Sequence, residues 1–213
     1  MIIRKPKFAR IDPQNRYTTY LHFDGEGVPR PFYMRGSIAW PEGDQEGFAL
    51  LAGQDINTKI ICIFEEFPFW TIDHWLEENG NIRQRTDSQG DPTSEYFLGL
   101  FQFIQDNFSL YKAFAYFWGS QHIDIWKRYG NEVYKNPLVP RALEMIEVPY
   151  VKEVGDNLIA EYMNTERIKG DQRSKLYVLL QDAAVNDNNS VQALRALLAG
   201  YEFQPYVNLG ETL

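Results

Sequence analysis

The chain has 213 residues, 44% of them hydrophobic, and a formal charge of −8. That size suits one sizeable core, the acidity argues against broad phosphate binding through clustered Lys and Arg, and the single cysteine, Cys62, excludes an internal disulfide and disfavours a cysteine-based zinc site. No run of eighteen apolar residues occurs and the opening Met-Ile-Ile-Arg-Lys-Pro-Lys does not read as a signal peptide, so a soluble, cytoplasmic protein without membrane contact is expected.

Residues 1–15 read as an N-terminal arm bearing Arg4, Lys5, Lys7 and Arg10, ahead of a single domain over residues 16–213. Arg16–Phe23, Phe32–Trp40 and Lys59–Glu65 are rich in β-branched and aromatic residues and are expected to form strands, with Phe48–Ala52 a weaker fourth. Short loops between them, such as Pro-Glu-Gly-Asp at 41–44, suggest an antiparallel meander. Asp91-Pro92 has the form of a helix start, and Tyr96, Phe97, Leu100, Phe101, Phe103, Ile104 and Phe108 recur at helical spacing. Tyr111–Trp118 reads as a central strand, Gln121–Tyr129 as a short helix, Leu143–Val151 as strand-like, and Asn157–Asn164, Ser174–Ala184 and Ser190–Ala199 as helices. The order predicts an α/β protein with a mixed sheet flanked by helices.

Four acids stand out. The run from Tyr17 to Phe23 leads into Asp24-Gly-Glu26-Gly, and alternation along an extended chain would aim both carboxylates at one spot, where a cation would relieve their repulsion. A solvated turn is the plain alternative. Asp124 follows the strand ending at Trp118 and opens a helix, where α/β folds gather their sites, although a first-turn aspartate also simply suits the helix dipole. Asp187 precedes the apolar face Leu194, Leu197, Leu198, again compatible with a cap. Trp118, Trp126 and Phe32 are candidates to stack on a terminal base, with core packing as the competing role. His122 is more simply a hydrogen-bonding residue than a base.

Together these segments resemble the DnaQ-like (DEDD) 3′–5′ exonucleases of the ribonuclease H-like superfamily. The resemblance rests on Leu21-His-Phe-Asp-Gly-Glu-Gly, Gly119-Ser-Gln-His-Ile-Asp and Ala184-Val-Asn-Asp-Asn-Asn-Ser-Val-Gln-Ala-Leu, and it would cover residues 16–200. It implies a ribonuclease H-like mixed sheet, an antiparallel meander followed by parallel strands. It also implies that Asp24, Glu26, Asp124 and Asp187 hold two Mg²⁺ or Mn²⁺ ions and hydrolyse phosphodiester bonds at the 3′ end of single-stranded DNA or RNA. The chain departs from the family's pattern at one point. A His or Tyr normally stands four or five residues before the last Asp, where this chain has Ala183 and Asp182. A second register, Tyr177-Val-Leu-Leu-Gln-Asp182, restores the Tyr with Asp182 as the last acid, but the Ala/Leu helix after Asp187 fits the third motif better. With Asp187 last, Asp182 occupies the base position and a slow or inactive enzyme is expected. The alternatives are a catalytically degenerate ribonuclease H-like domain that binds nucleic acid or protein, and an unrelated interaction domain using the aromatic segment Phe64–Trp70.

Overall fold

The computed structural model of the chain describes residues 5–41, 46–69, 74–76, 82–84, 98–149, 152–170 and 188–203. Strand β3, Arg30–Ala39, is the axis of an open, mostly antiparallel sheet. Along one edge it pairs antiparallel with β4, Gly47–Asp55, which pairs with β5, Ile61–Phe69. Its other edge serves two partners in succession. The first half takes β2, Thr18–His22, antiparallel, with Leu21 opposite Arg30 and Thr18 opposite Tyr33. The second half takes β8, Ala115–Gly119, parallel, with Gly36 opposite Tyr116 and Ile38 opposite Trp118. Beyond β8 lies β9, Glu144–Val148, parallel to it, and beyond β2 lies β1, Phe8–Ile11, antiparallel. The short β10, Ile168–Lys169, pairs parallel with β5. β6, His74–Leu76, and β7, Ile82–Gln84, form a separate hairpin.

Helices cover both faces. On one, α3 (Lys152–Asn164) and α4 (Asn189–Phe203) bury Ile159, Tyr162, Leu194, Leu197 and Leu198 against Phe48, Leu50, Ala52 and Phe117. On the other, α1 (Leu98–Tyr111) and α2 (Ile123–Lys135) meet Ile38, Trp40, Ala49 and Tyr116 through Leu100, Phe101, Ile104 and Val133. Alternate residues of β4 therefore enter different cores, which explains why Phe48–Ala52 is such a weak strand signal. A strand buried on both faces loses the apolar/polar alternation of a half-exposed one, and all nine residues of β4 are buried.

The expected meander is present, with β2 through β5 overlapping the predicted strands. Boundaries differ in several places: α2 runs to Lys135 rather than ending at Tyr129, and α3 starts at Lys152 rather than Asn157. Tyr111 belongs to the end of α1 rather than to a strand, because Lys112 takes a left-handed conformation (φ 58°) and the chain closes a C-terminal cap, with the Lys112 N–H donating to the Phe108 carbonyl and Ala113 N–H to Asn107. Residues 8–11 of the expected arm form β1 and so belong to the sheet. The predicted helix 174–184 and the predicted start at Asp91-Pro92 lie outside the described residues. Cys62 is a core thiol as expected, and burial raises its pKa further. Among the described residues, no helix is long and apolar enough to cross a membrane.

Candidate functional site

Ligands of α/β sheets gather beyond the carboxyl ends of parallel strands. Here β3 and β8 end side by side at Ala39 and Gly119, and the chain leaves β8 through a 3₁₀ turn, Ser120–His122, into α2. The N-terminus of α4 meets the same edge. Asn189 is 3% exposed and donates through Nδ2 to the Trp40 carbonyl (3.1 Å) and the Glu46 carbonyl (2.7 Å). Gln121 donates to Gln192 of α4 at 3.1 Å. Trp118 stacks on Trp126 (5.2 Å, 27°), which lies 6.4 Å from Trp40 and edge-on to Tyr134. His122 is buried at this edge. Ser37 Oγ and Trp118 Nε1 have no hydrogen-bond partner among the described residues. The edge is thus lined by amides, a hydroxyl and indoles. Asn189 acts as a tie between α4 and the end of β3, so Asn189→Ala should cost about 2 kcal/mol by removing its hydrogen bonds to the Trp40 and Glu46 carbonyls, read as a lower urea midpoint at unchanged slope.

The sequence-predicted acids do not gather here. β2 ends at His22, and Phe23 to Glu26 form a turn closed by the Glu26 N–H donating to the Phe23 carbonyl (3.1 Å), with Gly25 at φ 85° in its third position. The strand alternation that would have aligned Asp24 and Glu26 therefore stops before them. Asp24 is 81% exposed, 3.9 Å from Lys7 Nζ, while Glu26 lies 3.7 Å from Arg30 Nη1. Asp124 is 94% exposed in the first turn of α2, 3.8 Å from Lys127 Nζ. The Asp24–Glu26 turn sits beside the start of β3 and Asp124 beyond its end. Eight strand residues at about 3.3 Å each separate Arg30 from Ile38, so the two sites lie roughly 26 Å apart. Among the described residues, the structure therefore does not bring Asp24 and Glu26 together with Asp124. Tyr177, Asp182 and Asp187 lie outside the described residues. Among the described residues, no three His, Cys, Asp or Glu side chains are grouped to hold a metal.

The aromatic candidates belong mainly to the core. Trp118 and Phe32 are 2% and 1% exposed, which removes them as base-stacking surfaces. The segment from Phe64 does not form an exposed patch either. Phe64 packs on Phe23, Phe32 and Tyr111, Phe67 on Phe103, and Phe69 is buried beside Trp40, while Trp70 lies outside the described residues.

Sequence reasoning passed over the β1–β2 hairpin. Its outer face carries Phe8 stacked on His22 (4.8 Å, 16°) and the Arg10 guanidinium 5.2 Å over the Tyr20 ring, two cross-strand pairs in direct register. Phe8 is 48% exposed and Arg10 is exposed. The signal was available as charge, since residues 1–40 contain seven of the 21 Lys and Arg but three of the 29 acids. An apolar cleft of about 150 Å³ also lies at the end of β9, between Val148, Pro149, Val154 and Phe203, with the buried Arg195 in its wall held by Asp156 at 2.6 Å. No protein-family model matches the chain, and no characterised protein or solved structure matches it.

Proposed function

We propose that the chain is a ribonuclease H-like domain that binds nucleic acid without cutting it. The fold part of this reading is supported by strand order: the meander β3–β4–β5, then α1, then β8 parallel beside β3, then α2, then β9 beside β8. In that arrangement β3, not β2, is the strand next to the parallel pair, and its residues at the carboxyl end are Ser37, Ile38 and Ala39. The reading of lost cutting rests on one observation, that the Asp24–Glu26 turn and Asp124 lie at opposite ends of β3. Two-metal hydrolysis needs carboxylates that clamp ions about 4 Å apart. The competing reading, a Mg²⁺- or Mn²⁺-dependent 3′–5′ exonuclease, would have to recruit Asp187 and Asp124 without Asp24 and Glu26.

The protein should bind a 3′-labelled single strand of DNA or RNA and leave its length unchanged in Mg²⁺ or Mn²⁺, and calorimetry should find no Mn²⁺ binding tighter than millimolar. Metal-dependent shortening that disappears in Asp124→Ala would overturn the non-cutting part. Absence of binding to any strand at low salt would overturn the nucleic-acid part.

A further inference from the structure

No further inference is drawn: the strongest candidate, the apolar cleft of about 150 Å³ at the end of β9 between the first turn of α3 and the side of α4, carries nothing because nothing in the structure shows what covers it.

Discussion

Gly36→Ala should lose about 3 kcal/mol of stability, near the top of the range for overfilling a packed core. A Cβ built on Gly36 would lie 2.1 Å from Cδ1 and Cε1 of Tyr116, its register partner across β3 and β8. The ring cannot swing aside at low cost. Tyr116 is fully buried, it shares its core with Ile38, Trp40, Phe101 and Ile104, and its hydroxyl accepts from Asn107 Nδ2 at 3.3 Å. Burial also pushes the phenol's pKa well above its ordinary value. Tyr116→Ala alone should cost about 3–5 kcal/mol through the cavity it leaves. The double variant is the informative measurement. Once the ring is gone the added methyl has room, so the combined cost should fall short of the sum by 1 kcal/mol or more, roughly the coupling seen between contacting residues. Strict additivity in urea unfolding would mean that the close approach does not constrain the β3–β8 pairing. Gly200 stands in the mirror situation on the opposite face, where a Cβ would meet the Phe117 ring at 2.3 Å.

Asp55→Ala should cost about 2–3 kcal/mol, and the loss should depend on pH. The Asp55 side chain is 3% exposed and closes the β4–β5 connection: it accepts from Arg30 Nη2 at 2.5 Å and from the backbone N–H groups of Asn57 (2.9 Å) and Thr58 (3.0 Å). Removing it strands two backbone donors. The ion pair adds less than its short distance suggests, because Arg30 is 41% exposed and screened by water. Burial by itself raises the Asp55 pKa, but the hydrogen bonds from Arg30, Thr58 and Asn57 and the charge of the guanidinium outweigh it and hold the carboxyl below its usual range. The sign follows from that depression. The group contributes its full stability above the unfolded carboxylate pKa of about 3.9 and loses it as pH falls through the lower folded value. Wild type should therefore lose stability more steeply than Asp55→Asn as pH falls below about 4. Parallel pH profiles for the two proteins would show that the carboxylate is not the titrating support.

The meander was legible because β2, β3 and β5 carry aromatic and β-branched residues between turn signals, and local chain preference then agrees with the final pairing. The helical face of α1 was legible for the same reason, since Leu100, Phe101 and Ile104 repeat at 3.6-residue spacing and are buried. The end of α1 was not, because Tyr111 and the aromatics after it suit a strand, while the cap depends on backbone hydrogen bonds that the left-handed Lys112 allows. The acid pair was misplaced for a related reason. Alternation does not continue beyond His22, where β2 ends, so the common direction expected of Asp24 and Glu26 is removed by the turn at Gly25.

What the sequence determined by itself is local: which segments extend, which coil, that Phe48–Ala52 is an apolar run, and that Lys and Arg outnumber acids in the first forty residues. Only the tertiary structure decided which strand stands beside the parallel pair. β2 and β3 read alike as strands, but β3 is ten residues long and can seat two neighbours along one edge, β2 on its first half and β8 on its second. That long-range choice, invisible to any short window, puts Asp24 and Asp124 at opposite ends of one strand and leaves the Phe8, Arg10, Tyr20 and His22 face of the hairpin open beside it.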